Sequence, residues 1–404
     1  MPDINLKYMK ILCVFGKYQY GNPLFGIGTE YAAFIPALKN LGHKVKHFDS
    51  WNRSLFDNYA KLNSAFLKTV ENTLPGIILV VQMNYEIWTD TLQIIKDRKD
   101  IATICWTTDD TWKYREVSRY IGRAYHVMTT TYPEFVGKYR KDGINNILLT
   151  QWAANSKTLK EPLPAAKCRY KVSFVGAAHG IRKKVIGKMK RSGINVFCFG
   201  EGWPAGPVDA DQIPTIMRDS LISLGFTNSK GINQIKARTF EVPGAGGFLL
   251  TQYAKGLERY YEIGNEIETF SSIKELKEKI CFYLSNYEKR DLIARQGFQK
   301  TLCEHTYEKR LNEVIDFAIK SMENLPKRKN IISDTSFEQI SKTHKLDSHL
   351  KIIRKLLVFV CKLIWKNSKG SRAARRIIYE LSWRFFGKKT YSASGWPGRM
   401  FPEQ

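Results

Sequence analysis

The chain has 404 residues, 43% hydrophobic and 13% aromatic, which excludes general disorder and leaves room for two cores of ordinary domain size. Its formal charge of +26 makes polyanions partners to consider. Half of that excess sits in the last fifth: across residues 325–404, eighteen Lys or Arg stand against five Asp or Glu, so the tail needs an explanation of its own.

Residues 10–16 (KILCVFG) form a short apolar run rich in β-formers, the pattern of a strand covered on both faces. The first eight residues are polar and expected outside the fold. A glycine-rich loop follows with Gly21, Gly26 and Gly28, then Thr29 as N-cap of a helix carrying Phe34, Leu38 and Leu41 on one face. Residues 44–49 supply a second strand, and the apolar runs 76–82, 101–106, 125–129 and 146–150 continue the alternation. Residues 157–167 (KTLKEPLPAAK), with Pro162 and Pro164, break the periodicity as a linker does. A second series starts at 170–176 (YKVSFVG), with 195–200 and 248–251 as further strands. The expected architecture is α/β, two tandem Rossmann-like domains spanning 9–155 and 168–325, followed by a basic helical tail over 326–404.

The seven cysteines contain no CxxC pair and mostly sit inside apolar runs, as free thiols of a reducing compartment do. Without a secretion signal or an apolar run near 20 residues, the expected location is cytoplasmic, neither secreted nor membrane-spanning.

The most informative stretch is 236–251, KARTFEVPGAGGFLLT. It places Arg238 and Glu241 at a helix start or tight turn, then Gly244, Gly246 and Gly247, then a strand. Arg238 has the fork geometry to grip phosphate oxygens, and glycines let backbone N–H groups approach a diphosphate. A carboxylate such as Glu241 accepts two adjacent ribose hydroxyls. The alternative is a plain helix-to-strand turn with a surface Arg–Glu pair.

These residues resemble the CgeB-like branch of group 1 glycosyltransferases, whose pattern R-x-F-E-x-x-A-x-G-G-F-L-L-T is matched by Arg238, Phe240, Glu241, Gly246, Gly247, Leu249, Leu250 and Thr251. Its later E-H-T-Y-x-x-R is matched by Glu304, His305, Thr306, Tyr307 and Arg310. Upstream, 172–176 (VSFVG) with Arg182, and 199–203 (FGEGW), are similar to its opening strands. The resemblance covers about 171–319 and implies a GT-B fold, two Rossmann-like domains facing a cleft. It further implies that a nucleotide-sugar donor binds the C-terminal domain through Gly176, Arg182, Arg238, Glu241 and the Gly244–Gly247 loop. Glu241 corresponds to the second glutamate of the group 1 signature; where the first would stand, eight residues earlier, this chain has Asn233.

In the N-terminal half, Gly26 and Gly28 lie at the mouth of the first strand, without the third glycine of a dinucleotide fingerprint. Asp109 and Asp110 close another strand; either is a candidate general base for an acceptor hydroxyl, or both cap the next helix. His179 follows Gly176, either near the donor phosphates or as a loop residue without a partner. Asp209-Ala210-Asp211 spells a metal-binding triplet, but in a Pro- and Gly-rich loop, and His43 and His47 lack companion ligands, so no metal site and no cofactor are expected.

The tail has three readings. Residues 351–366 form an amphipathic helix with Lys351, Lys355, Lys362 and Lys366 in one arc, and 372–386 a second one. They lie on an anionic membrane with Trp365 and Trp383 at headgroup depth, or pack against the domains or a second subunit, or bind nucleic acid, for which no reading motif is present. The resemblance implies transfer of a sugar to a carbohydrate or lipid-linked acceptor, at the inner membrane face if the tail binds lipid. The rivals are a nucleotide-sugar epimerase and a non-catalytic membrane-associated scaffold, the missing glutamate favouring the latter.

Overall fold

Each apolar run of the N-terminal half becomes a strand of one parallel sheet, because helices cover both faces. The computed structural model describes residues 8–98, 100–227, 234–323 and 334–402. Two units result: Met1–Leu149 together with Val314–Gln404, and Thr150–Glu313. In the first unit β1 (Lys10–Val14), β2 (Lys44–Phe48), β3 (Ile77–Val80), β4 (Ala102–Cys105), β5 (Val127–Thr130) and β6 (Ile147–Leu149) pair in the order β2-β1-β3-β4-β5-β6, all parallel. The helices here include α1 (Thr29–Asn40), α2 (Tyr59–Thr73), α3 (Thr89–Asp97) and α4 (Pro133–Lys141). Leu62, Phe66 and Val70 repeat at helical spacing on α2 and are wholly buried, while the Asn58 side chain caps it by accepting from Lys61 N–H at 2.9 Å. At α1 the N-cap is Gly28 rather than Thr29.

The second unit holds β7 (Tyr170–Val175), β8 (Phe197–Phe199), β9 (Ser220–Gly225), β10 (Leu249–Gln252) and β11 (Glu268–Phe270), parallel in the order β11-β10-β9-β7-β8. Its helices include α5 (Arg182–Arg191), α6 (Arg238–Gly244), α7 (Ile273–Ser285) and α8 (Tyr287–Glu304). The segment 157–167 is fastened to this unit. Arg290 of α8, fully buried, donates to the carbonyls of Leu163, Ser220 and Leu221 at 2.8–2.9 Å. Cys281 and Cys303, on α7 and α8, are exposed, so burial does not extend to all seven thiols.

The unit boundary falls within α9 (Tyr307–Glu323), after which come α10 (Asp334–Lys342), α11 (Ser348–Trp365) and α12 (Asn367–Phe386). The tail, expected as a separate segment, is part of the first unit. Tyr379, Trp383 and Tyr391 join the core cluster containing Tyr85, Trp88 and Ile121, and Ala393 N–H donates to the Asp90 carboxylate at 2.8 Å. Trp383 is 5% exposed, which corrects its assignment to lipid headgroup depth. Ala374, Ile378, Tyr379 and Trp383 of α12 are thus already used inside the protein.

Candidate active site

In an open parallel sheet, ligands bind outside the carboxyl ends of strands where the order reverses. In the second unit that point is β7, with β8 on one side and β9 on the other. The chain leaves β7 through Gly176, whose carbonyl accepts from Trp203 Nε1 at 2.8 Å. A Cβ on Gly200 would lie 2.6 Å from that carbonyl, so only glycine fits there. Arg182 opens α5, lies over the Phe174 ring at 5.3 Å and donates from Nη1 to Ala177 O at 2.8 Å. Its buried Nε has no partner among the described residues. Arg238 opens α6, donates from Nε to Val175 O at 3.3 Å and is ion-paired with Glu241 one turn on. Burial, and then the neighbouring Arg238 guanidinium, pull Arg182 below its ordinary pKa. Two guanidiniums and one carboxylate thus converge at the end of β7, a local excess of positive charge suited to an anion.

In the first unit the order reverses between β1 and its neighbours β2 and β3. A cavity of about 180 Å³ opens at their carboxyl ends, walled by Tyr20, Trp51, Tyr59 and Tyr85. Ser50, Glu86 and Arg375 of α12 also line it. Ser50 Oγ and Asn84 Oδ1 are buried there with no partner among the described residues, while Glu86 accepts from the Met83 and Asn84 N–H groups at 2.5 and 2.7 Å. Alongside, Tyr20, Asp109 and Lys113 all lie within electrostatic reach of Glu30, and Tyr20 within reach of Asp109. Burial raises the Glu30 carboxyl; a backbone hydrogen bond and Lys113 partly offset this, and Asp109 adds to it.

Residues 182–316 match the family model described as Glycosyl transferase-like, and no curated protein matches the chain. Among solved structures, that of Anabaena HepE in complex with UDP-glucose is matched over its full length by 79% of this chain, at 12% identity and a TM-score of 0.52. A glycosyltransferase from Rickettsia africae gives 0.53 at the same coverages and identity. Sucrose-phosphate synthase from Thermosynechococcus elongatus gives 0.55 at 10% identity, over 78% of this chain and all of its own. The chain has the GT-B fold.

Within this GT-B chain the family-matched segment opens at Arg182 and includes Arg238 and Glu241. The glycines after them have a different role from the one expected. Gly246 and Gly247 spend their N–H groups on Pro243 O and Val242 O at 2.9 Å. Added Cβ atoms would meet Lys160 O at 2.5 Å, Met217 O at 2.6 Å and, at Gly244, Ala154 Cβ at 2.7 Å. All three are buried packing positions: Gly244 and Gly246 let segment 157–167 lie against α6, Gly247 lets the Met217 backbone approach, and the N–H groups of Gly246 and Gly247 are not free for a diphosphate.

Asp110 is likewise engaged by the protein's own groups. It is wholly buried and accepts from Thr107, Ser118, Thr130 and Tyr139 hydroxyls at 2.6–3.1 Å. Asp109, half-buried with φ 55°, takes the left-handed conformation and its carbonyl accepts the first N–H bonds of the following turn. Gly28 is buried and donates to Lys17 O at 2.9 Å; Gly26, φ +77°, is exposed with open space where a side chain would be. His179, Asp209 and Asp211 are exposed, His47 Nε2 meets Phe15 O at 2.8 Å, and His43 is buried. Asn233 lies outside the described residues. The cavity residues Ser50, Trp51, Asn84, Tyr85 and Glu86 were missed; their signal was polar and aromatic residues directly behind β2 and β3.

His305 is structural. Its Nε2 donates to Tyr260 O at 2.7 Å, and since a guanidinium has only donors, Nδ1 accepts from Arg310 at 2.8 Å. Its carbonyl accepts from Ala154 N–H at 2.8 Å, tying residue 154 to the end of α8. Burial, with Arg310 adding to it and the Tyr260 carbonyl opposing, pushes its pKa from an ordinary 6.5 down to about 4. Unfolded chains therefore bind a proton that the native state refuses between those values. Stability is full above pH 6.5 and falls as pH drops towards 4, by about 3 kcal/mol from this group. Urea midpoints at pH 5 and 7.5 check this: His305→Gln should show a shallower decline than the parent.

Proposed function

We propose that the chain is a CgeB-like group 1 glycosyltransferase that moves a sugar from a nucleoside diphosphate sugar to a hydroxyl of a carbohydrate, lipid-linked or cell-surface precursor. The observation that carries this reading is the convergence of Arg182 and Arg238 at the end of β7, beside Glu241 and inside the family-matched segment. Two guanidiniums suit a leaving diphosphate, which gains charge in the transition state, and Glu241 suits the ribose hydroxyls. The similarity to Anabaena HepE, seen with UDP-glucose, supports such a donor.

The acceptor binds in the first unit, where ring walls suit sugar faces and the unpartnered Ser50 Oγ and Asn84 Oδ1 suit hydroxyls. Asp109, with Glu30 beside it, takes the acceptor proton. Two guanidiniums can carry the charge balance of a leaving diphosphate by themselves, so on this reading the reaction needs neither a metal ion nor a cofactor. Calorimetric titration with UDP, GDP, TDP and CMP tests the assignment. One of them should bind saturably, equally well with Mg²⁺ or EDTA, and at least about tenfold more weakly in Glu241→Ala. Absence of binding by all four would sink the reading, and loss of binding in EDTA would overturn its metal-free form.

A further inference from the structure

Helix α11 divides into three sectors at about 100° per residue. Leu350, Leu357 and Cys361 turn inwards and pack with Ala374, Ile378 and Met400. A second sector, about 140° wide, faces outwards and is apolar: Ile352, Leu356, Phe359, Leu363 and Ile364 are each between 59% and 69% exposed. Lys351, Lys355, Lys362 and Lys366, all exposed, form a column along its border. The packing with α12 holds this orientation, since a Cβ on Gly370 would lie 2.6 Å from Lys362 Cα.

From Ser348 to Tyr379 the sequence has nine Lys or Arg and no Asp or Glu. No described helix is long and apolar enough to cross a membrane. A wide apolar sector edged by lysines instead matches a helix lying in the plane of a bilayer, methylene stems in the interface and ammonium groups at phosphate level. A second copy is a poor occupant of this face, because it would set two such cationic faces against each other.

We infer that α11 docks the protein on an anionic lipid surface, with the 352–364 apolar sector inserted and the lysine column on lipid phosphates. If the acceptor is lipid-linked, as proposed above, docking brings the enzyme to it, yet the inference stands without that reading. The test is co-sedimentation of the full chain with phosphatidylcholine vesicles, with and without 30% phosphatidylglycerol added, at low and high salt. Binding should favour the anionic vesicles by at least about tenfold, since each basic residue near such a surface contributes several-fold. Lys355→Glu/Lys362→Glu should abolish that preference, and Leu356→Ser/Leu363→Ser should lower binding about tenfold at either salt concentration. Both double variants alter exposed side chains, and their thermal midpoints should match the parent. Equal affinity for both vesicle types, or self-association abolished by Leu356→Ser/Leu363→Ser, would overturn the inference. UDP titrations on the same samples keep the two proposals apart, because nucleotide binding should be unchanged in these variants.

Discussion

Replacing Arg182 or Arg238 with alanine is expected to lower kcat by about 100- to 1,000-fold, the range found when a fixed donor to a developing negative charge is removed. Arg182 is held by Phe174 and the Ala177 carbonyl and Arg238 by the Val175 carbonyl and Glu241, so neither must reorganise when the donor bond breaks. Stability should hardly change, because the Arg238–Glu241 pair is part-exposed and such pairs contribute little. Arg238→Lys should recover only part of the rate, since an ammonium keeps the charge but cannot bond Val175 O and a phosphate as a planar fork does. Turnover of donor in steady-state assays reads all three. A change under about threefold in both alanine variants would remove the diphosphate site from the end of β7.

The second large effect separates two adjacent acids. Asp110→Ala takes the acceptor from the buried Ser118, Thr130 and Tyr139 hydroxyls, Thr107 keeping the Thr129 carbonyl, and should destabilise the first unit by about 3–5 kcal/mol, enough to unfold many domains. Asp109→Asn, which tolerates the left-handed backbone and keeps the side chain's shape, should leave the unfolding midpoint nearly unchanged and reduce turnover about 100-fold or more, the contribution of a positioned base. Denaturant unfolding and kinetics on both proteins decide it. A stable, inactive Asp110→Ala would reverse the assignment.

The two-sheet plan was legible because strands covered on both faces must be continuously apolar, as KILCV and IILV are. The pairing of Arg238 with Glu241 was legible because a guanidinium and a carboxylate one turn apart need only local helical geometry. Other roles depended on what lies opposite in space. Gly246 reads as a phosphate loop until Lys160 O is found where its side chain would be. Asp110 is one residue from Asp109, and only the meeting of Thr130 and Tyr139 around it makes it structural. Trp383 carries the same amphipathic signature as Trp365, but a periodic pattern does not say whether protein or lipid covers the apolar side; Trp383 is buried and Trp365 is 47% exposed.

The return of the tail to the first sheet also sets an order of events during synthesis. Strands β1 to β6 emerge first, yet Tyr379, Trp383, Tyr391 and Ala393 complete their core. At roughly 5–20 residues per second, the nascent first unit waits on the order of ten seconds or longer for its last side chains. The second unit, contiguous in the chain, has all of its residues well before then. Of the two units, the one whose strands emerge first is therefore the one that finishes folding last, and its exposed strand edges are the part most in need of protection while the ribosome is still at work.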